Sequence, residues 1–311
     1  MPITVVGSIA FDAVRTPFGV RERMLGGAAV HFALAASFFD EVRVVGPVGD
    51  DFGDPELDVM RRRKVDVSDV ERVAGGRTFF WQGEYGWDLN SRETIDTQLD
   101  VFEGFSPKLS ESSRASDVLF LANIQPDLQQ QVRAQMPDAR FVALDSMNLW
   151  IDIARESLVT IIEQVDCVIL NDAELRQLTR KPNVLAAARE VVGWGPRAVV
   201  AKQGEYGAAL VTAEGFFSLP AFPLEEVIDP TGAGDTFAGG FVGYLAAHPD
   251  GPIDHPLLTR AMAYGTALAS FNVEEFGTER VQRLEGHEIA ARVQELERVT
   301  RFDSTPIALR D

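Results

Sequence analysis

The sequence predicts an α/β fold, because short apolar runs alternate with stretches of helical character along most of the chain. Each run is rich in Val, Ile, Leu and Ala. The runs are residues 3–10, 42–49, 118–123, 141–145, 167–171 and 198–202. Continuous apolar runs separated by helices are typical of βαβ units, whose strands pair in parallel in a sheet covered on both faces. One segment, residues 77–87, departs from this rhythm.

The first apolar run, residues 3–10, has the composition of a central strand and ends in small residues, which suits a site at its C-terminal end. Asp12 follows that end, where it could accept hydrogen bonds from two substrate hydroxyls or could simply belong to a turn. Gly26 and Gly27 then open a small-residue helix whose start can lie against a ligand. His31, inside this helix, is more typical of a core or supporting histidine than of a catalytic one.

Residues 77–87 alternate aromatic with polar side chains. The aromatic positions are Phe79, Trp81, Tyr85 and Trp87. This period of two predicts an antiparallel strand pair with one aromatic face. In a chain of βαβ units, we interpret such an insert as a lid over a site or as a contact between subunits. An ordinary edge hairpin packed on the core is the alternative.

Four later runs end in a polar side chain, namely Asn123, Asp145, Asn171 and Lys202. The C-terminal ends of parallel strands lie on one edge of a sheet, and open α/β sheets bind their ligands at that edge. We therefore expect these four side chains to surround one crevice, although polar strand ends also occur by chance.

The composition excludes a nucleic-acid surface and predicts a soluble protein. The formal net charge is −18, whereas polyphosphate recognition uses clustered Lys and Arg. No stretch approaches the roughly 20 apolar residues of a membrane span, and the N-terminus has no basic segment before its apolar residues. We therefore expect a cytoplasmic protein without membrane partners.

The single cysteine, Cys167, lies in a predicted buried strand and receives no chemical role.

The most informative stretch is residues 229–240, where Gly232, Ala233 and Gly234 are followed by Asp235 and an apolar helix. Backbone N–H groups at such a helix start bind anions, because the helix dipole adds positive potential and small residues let a phosphate approach. An acid beside an anion makes sense as a general base that removes a proton from a hydroxyl during phosphoryl transfer. A simple helix cap is the alternative.

Asn171 and Glu174 form a second motif, at the start of a helix that follows a strand. Their i, i+3 spacing puts both side chains on one face, where oxygen atoms can hold Mg²⁺ through its waters. The alternative is a capping box, and both roles can coexist. A Walker loop and a strand followed by Gly-x-Gly-x-x-Gly are both absent, so a nucleotide site here must use another design.

These motifs resemble, in order, those of the ribokinase-like (PfkB-type) carbohydrate and nucleoside kinases. The matching segments are Gly7-Ser8-Ile9-Ala10-Phe11-Asp12, Gly26-Gly27, Asn171-x-x-Glu174, Lys202-x-Gly204-x-x-Gly207 and Asp229-x-Thr231-Gly232-Ala233-Gly234-Asp235. The resemblance implies one three-layer α/β/α sandwich domain over residues 1–311 with a mostly parallel central sheet. It also implies a small antiparallel β lid, formed mainly by about residues 12–20 and 75–103.

The resemblance further implies transfer of the γ-phosphoryl group of ATP, with Mg²⁺, to a hydroxyl. Asp235 would be the base, and Gly232, Ala233 and Gly234 the anion hole. The implied nucleotide contacts are Asn171, Glu174, Lys202, Gly204, Gly207 and Thr231, the first two also positioning Mg²⁺. The candidate acceptor contacts are Asp12, Gly26, Gly27, His31, Asn123 and Asp145. Oxygen atoms near Asp229 and Thr231 would match a monovalent-cation site, such as one for K⁺.

The sequence departs from the family pattern at three places, of which the first two make the acceptor pocket atypical and the third leaves the implied adenine and cation contacts unmatched. Pro230 stands where many members have Thr, His31 stands where an Asn often lies close to the acceptor, and residues 272–277 do not match the usual segment. We expect a sugar or polyol kinase first and a nucleoside kinase second, with a non-catalytic sugar-binding regulator as the alternative of another class. A homodimer through the aromatic lid is also expected.

Overall fold

A computed structural model describes residues 1–302, which form a large and a small β-sheet. The strands are β1 (Ile3–Val6), β2 (Ala10–Thr16), β3 (Gly19–Gly26), β4 (Val42–Val48), β5 (Val70–Arg72), β6 (Phe79–Tyr85), β7 (Arg92–Gln98), β8 (Val118–Leu121), β9 (Phe141–Leu144), β10 (Cys167–Asn171), β11 (Ala198–Lys202), β12 (Ala208–Thr212) and β13 (Phe216–Leu219). The large sheet has the order β13-β12-β11-β10-β9-β8-β1-β4-β5. From β5 to β11 along that order the strands are parallel, and β12 and β13 are added by antiparallel pairing.

Helices cover both faces of the large sheet. They are α1 (Ala28–Ala36), α2 (Asp54–Arg62), α3 (Glu111–Arg114), α4 (Pro126–Gln135), α5 (Asn148–Ile153), α6 (Arg155–Ile162), α7 (Asp172–Thr179), α8 (Val184–Val192), α9 (Ala233–Ala246), α10 (His255–Asn272), α11 (Glu279–Gln282) and α12 (Gly286–Thr300). Alternate strand residues face opposite sides. On β8, Val118 and Phe120 join the core shared with α1, α9 and α10, whereas Leu119 and Leu121 join the core shared with α4, α6, α7 and α8. The predicted three-layer α/β/α sandwich is confirmed.

The small sheet has the strand order β3-β2-β6-β7. β2 pairs in parallel with β6, and the outer pairs β2–β3 and β6–β7 are antiparallel. The sheet takes in residues 10–26 and 79–98, so its first half extends to Gly26, beyond the limit of residue 20 that the sequence suggested. The sequence does not reveal β3, because its Arg21-Glu22-Arg23 run is exposed and hides the alternation that marks a strand.

The aromatic pattern of residues 77–87 lies on one strand and not on a strand pair. Phe79, Trp81 and Tyr85 belong to β6, whereas the partner strand β7 carries no aromatic residue. Trp87 lies beyond β6 with 89% of its surface exposed. Trp81 and Tyr85 pack in a small cluster with Phe276. This part of the aromatic face therefore contacts the rest of the chain.

Cys167 is fully buried at the start of β10, where burial raises the pKa of its thiol far above the ordinary value. Within residues 1–302, no helix is both long enough and apolar enough to cross a lipid bilayer.

Candidate active site

The turn before α9 has the backbone geometry of an anion-binding site. Gly232 caps the helix in the left-handed region, at φ 73°, and the first N–H groups of a helix have no partner inside it. The N–H of Ala233 donates to Pro230 O at 3.2 Å, which removes it from the predicted anion hole. The candidate donors are therefore the amides of Gly232, Gly234 and Asp235.

Gly232 is required by close packing and by its left-handed backbone, whereas Gly234 lies in contact with the flexible side chain of Lys202. A Cβ on Gly232 would lie 2.2 Å from Cε1 of His31, and a Cβ on Gly234 would lie 3.0 Å from Nζ of Lys202. The turn is thus held between α1, which carries His31, and the end of β11, which carries Lys202. A phosphate that approaches this backbone meets an ammonium group beside it.

Three of the four predicted strand ends lie beside the turn. Lys202 Nζ donates to Asp145 Oδ2 at 2.8 Å, and Asn171 and Lys202 are direct neighbours across β10 and β11. Asn123 differs, because its Oδ1 accepts a hydrogen bond from Trp150 Nε1 at 3.1 Å. That bond anchors α5 to the end of β8.

Asn171 and Glu174 cap α7 reciprocally. Asn171 Oδ1 accepts the N–H of Glu174 at 2.7 Å, and Glu174 Oε2 accepts the N–H of Asn171 at 2.8 Å. The capping box that the sequence allowed is therefore present. It leaves Glu174 Oε1 outside the cap, so the cap is compatible with a role of Glu174 beside bound phosphates.

Three carboxylates, those of Asp145, Glu174 and Asp235, lie around Lys202. Burial, followed by the charge of Asp145, raises the pKa of Glu174 and the pKa of Asp235 to about 7. Burial alone would lower the pKa of Lys202, but the carboxylates of Asp145, Glu174 and Asp235 raise it. One ammonium group facing three carboxylates leaves the cluster short of positive charge. A divalent cation bound with phosphates would supply that charge.

Asp12 lies on β2 of the small sheet, inside a strand and not after β1 as predicted. It is buried against Gly26, where a Cβ would lie 1.9 Å from Asp12 Oδ2, and it accepts the N–H of Gly27. Burial, followed by the charges of Asp229 and Asp235, raises the pKa of Asp12 to about 7. The candidate acceptor contacts Asp12, Gly26 and Gly27 therefore lie together, within the electrostatic reach of Asp235.

Two further side chains extend from the small sheet into the site. Arg92, on β7, lines the cavity, and its positive charge lowers the pKa of Asp12 and of Asp235. Tyr85, at the end of β6, accepts a hydrogen bond from Thr231 Oγ1 at 3.2 Å. Neither residue can be assigned to the site from the sequence, because both lie far along the chain from the motifs that carry the chemistry.

Asp229 is fully buried with both carboxylate oxygens bonded to amides. Oδ1 accepts the N–H of Thr231 and Oδ2 accepts the N–H of Gly277, each at 2.9 Å. The carboxylate keeps further lone pairs for other ligands, so a monovalent-cation site formed by oxygen atoms near Asp229 and Thr231 stays a prediction. The evident role of Asp229 is to fix the turn before α9 to the loop at Gly277.

A cavity of about 790 Å³ opens beside the turn, within the size range of small-molecule and cofactor sites. Its lining includes Asn171, Lys202, Gly204, Gly207, Gly234, Phe222 and Thr266. Gly207 has φ 94°, and a Cβ there would lie 2.1 Å from Leu219 O, so the loop requires glycine. The turn of the small sheet reaches across the cavity, where Asn90 Nδ2 donates to Glu205 Oε1 at 3.1 Å.

Residues 3–283 match the model of a protein family described as pfkB family carbohydrate kinase. The chain belongs to the pfkB family of carbohydrate kinases. The resemblance drawn from the motifs is confirmed. The protein is a phosphotransferase with an alcohol group as acceptor, and not a non-catalytic sugar-binding regulator.

Individual relatives of this pfkB-family chain include kinases of nucleosides and of sugars. Over 256 residues the chain is 31% identical to a cytidine kinase of Thermococcus kodakarensis, covering 80% of this chain and 90% of the relative. Over 312 residues it is 24% identical to a ribokinase of Lactococcus lactis, covering 95% and 98%. A solved nucleoside kinase of Methanocaldococcus jannaschii has a TM-score of 0.77 at 19% identity over 94% of this chain and 98% of its own. This last likeness confirms the fold.

Proposed function

We propose that the protein transfers the γ-phosphoryl group of ATP to a hydroxyl of a nucleoside. The observation that carries the proposal is the position of Asp235 at the start of α9, beside the glycine turn and the cluster around Lys202. The cytidine kinase relative, matched over most of both chains, favours a nucleoside over a free sugar as acceptor.

In this mechanism Asp235 removes or orients the proton of the acceptor hydroxyl, whose oxygen attacks the γ-phosphorus in line. The amides of Gly232, Gly234 and Asp235 receive the charge that develops on the phosphoryl oxygens, and Lys202 adds a positive charge beside them. Because burial and the charge of Asp145 raise the pKa of Asp235 to about 7, this carboxyl is partly protonated near neutral pH. The positive charges of Lys202 and Arg92 favour its ionised form, which is the base. As the new O–P bond forms, the bond between the γ-phosphorus and its bridging oxygen breaks and ADP leaves.

The carboxylates around Lys202 fit Mg²⁺, because they combine oxygen ligands with an excess of negative charge. Mg²⁺ would neutralise donor phosphates, with Glu174 and Asn171 holding its waters.

For Glu174→Gln we expect about a tenfold higher Mg²⁺ concentration at half-maximal rate. The matched control is Glu156→Gln, exposed on α6. A Mg²⁺ titration identical to wild type would remove Glu174 from this role. A K⁺ site formed by oxygen atoms near Asp229 and Thr231 stays part of the proposal.

The small sheet is proposed to act as a lid, since it brings Asp12 and Arg92 to the site and its turn contacts the loop at Glu205.

A screen of ATP consumption with nucleosides, free sugars and polyols tests the acceptor. We expect at least one nucleoside to exceed ribose in kcat/KM by tenfold or more. A free sugar that is turned over as well as every nucleoside would overturn the assignment.

Sugar kinase is the second candidate, and the full-length match to a ribokinase favours it. In that case a free sugar places its hydroxyls against Asp12, and the rest of the mechanism is unchanged. The same screen separates the two candidates.

A homodimer through the small sheet is part of the proposal. Apolar side chains with about half or more of their surface exposed lie on or beside this sheet, namely Phe18, Val20, Trp87 and Ile95. Light scattering after size-exclusion chromatography is expected to give twice the mass of one chain. A monomer at all concentrations would dismiss the dimer.

A further inference from the structure

The hydroxyl group of Tyr85 lies where the small sheet meets the phosphate end of the cavity. The side chain is only 8% exposed, and its ring packs in a cluster with Val14 and Phe276, which fixes the position of the phenol. Tyr85 nevertheless lines the cavity, and Gly234 and Lys202 line it from the side of the large sheet. The phenol therefore faces the space in which the donor phosphates are proposed to lie.

The groups beside the phenol oxygen donate hydrogen bonds to it or carry donors only. Thr231 Oγ1 donates to this oxygen at 3.2 Å. Arg92 is the direct cross-strand partner of Tyr85, and its guanidinium has no acceptor atom. Within residues 1–302, the phenol donates a hydrogen bond to no protein group. Its oxygen is thus engaged by the protein, whereas its proton is not.

The phenol keeps this proton at neutral pH. Burial raises the pKa of Tyr85 above its ordinary value, and Thr231 and Arg92 offset the rise only in part. The carboxylate of Asp229 raises the pKa further by its charge, without accepting a hydrogen bond from the phenol. A buried donor without an acceptor is costly, so such groups usually meet a ligand or an ordered water.

The surroundings of Tyr85 indicate which ligand supplies the acceptor atom. Thr231, which holds the phenol oxygen, directly precedes Gly232 in the anion-binding turn. A phosphoryl oxygen at that turn is negatively charged and has lone pairs for a further donor. Within the described chain, the candidate acceptor contacts Asp12 and Gly27 do not line this cavity. The phenol therefore faces the donor and not the phosphoryl acceptor.

We propose that Tyr85 donates a hydrogen bond to an oxygen of the γ-phosphoryl group, so that the small sheet supplies one contact to the group being transferred. The inference rests on the proposed function and deepens it. The proton stays on the phenol throughout, and the hydrogen bond stabilises negative charge on the phosphoryl oxygen. Tyr85 is then a catalytic residue, and Thr231 is a positioning residue that acts through the phenol oxygen.

Nucleotide binding without any acceptor tests this contact directly. Titration calorimetry with Mg²⁺ measures Kd for ADP and for the non-hydrolysable ATP analogue with an imido group between the β- and γ-phosphates. In Tyr85→Phe, Kd for the analogue should rise by about tenfold, the effect of losing a hydrogen bond to a charged group. Kd for ADP should stay within about twofold. Equal changes in both values, or no change in either, would overturn the proposal.

The matched control is Tyr264→Phe, which removes a hydroxyl on α10 outside the cavity lining. Both Kd values should stay at the wild-type level there. Steady-state kinetics of Tyr85→Phe should show kcat lowered by about tenfold or more, with KM for the phosphoryl acceptor within about twofold. A higher acceptor KM at wild-type kcat would place the hydroxyl against the acceptor and overturn the proposal.

Carbon-13 NMR of tyrosine labelled at Cζ tests the wild type itself, so the result does not depend on how well a variant folds. Four tyrosines make the spectrum assignable. The Tyr85 resonance should move on saturation with the ATP analogue more than with ADP. An equal response to both nucleotides would contradict the proposal.

Failure of the proposed function gives a different result. A wild type that binds neither ADP nor the ATP analogue would remove ATP as the donor. Binding of both nucleotides, with the same ratio of Kd values in wild type and Tyr85→Phe, would instead leave the donor assignment intact and remove Tyr85 from the phosphoryl group. The identity of the acceptor does not enter either result.

Discussion

The donor and acceptor sides of the proposed reaction centre are built in different ways. On the donor side, the groups come from backbone turns and strand ends of the large sheet, as with the glycine turn before α9 and Lys202 at the end of β11. On the acceptor side, the groups are side chains from separate elements. Asp12 and Arg92 come from the small sheet, and His31 comes from α1.

The difference has an electrostatic consequence. On the donor side, Lys202 is held permanently against Asp145 by a direct hydrogen bond. On the acceptor side, Arg92 is the positive charge that reduces the pKa of Asp12, and Arg92 itself lies on an exposed edge strand. The donor side is therefore preorganised, whereas the acceptor side depends on where the small sheet lies. Changes on the donor side should reduce kcat, and changes on the small sheet should also alter the KM for the acceptor.

The largest effect is expected for Asp235→Asn, which tests the group where the two sides meet. The amide cannot take the proton of the acceptor hydroxyl, so kcat should fall by about 10²-fold or more with little change in nucleotide affinity. Steady-state kinetics and nucleotide titration measure both quantities, with Asp127→Asn, exposed on α4, as the control. Retention of more than about a tenth of the rate would remove Asp235 as base.

Gly232→Ala tests the packing of the glycine turn, on the donor side, against His31, on the acceptor side. The new Cβ would meet the ring of His31 at 2.2 Å in a left-handed backbone, a combination that strains the turn by about 1–3 kcal/mol. We expect kcat to fall by about tenfold and Tm to fall by several degrees. Gly286→Ala is the control, because its Cβ meets nothing within 4 Å and its backbone is helical. Wild-type kcat in Gly232→Ala would show that the turn tolerates displacement.

Arg92→Gln tests the small sheet alone. Loss of the positive charge should raise the pKa of Asp12 and of Asp235 further. We expect kcat/KM for the acceptor to fall by about tenfold, and the acid limb of its pH profile to move to higher pH. Arg15→Gln, on β2 with Arg15 Nε 3.7 Å from Glu84 Oε2, is the control. An unshifted pH profile would mean that Arg92 does not act on these carboxylates.

The smallest effect is on stability. The folded pKa of Asp235 is about 7 and the unfolded value about 3.9, so the folded state binds this proton more tightly. The stability it contributes is full below about pH 4 and is lost as pH rises through about 7. Without ligands, Tm of the wild type should fall between pH 5 and 8 more steeply than Tm of Asp235→Asn. Scanning calorimetry at constant ionic strength measures both slopes, and equal slopes would contradict the shift.

Much of the donor side could be predicted from the sequence. The strands that end at Asn171 and Lys202, the capping box with Glu174, and the glycine turn before Asp235 are all present. Each is a local pattern in which a few adjacent residues determine the backbone path. The acceptor side was predicted less well, because β3 has no visible alternation and Asp12 lies inside β2 instead of following the end of the first strand.

By itself, the sequence determined the parallel sheet, the anion-binding turn and the identity of the acid beside it. The sheet follows from the spacing of the apolar runs. The turn follows from glycine, which adopts a left-handed backbone without steric cost. Tertiary structure alone decided that Arg92 reaches the site and that Asn272 orients His31 from 241 residues away. No sequence period encodes such contacts, because they depend on how separate elements pack around one crevice.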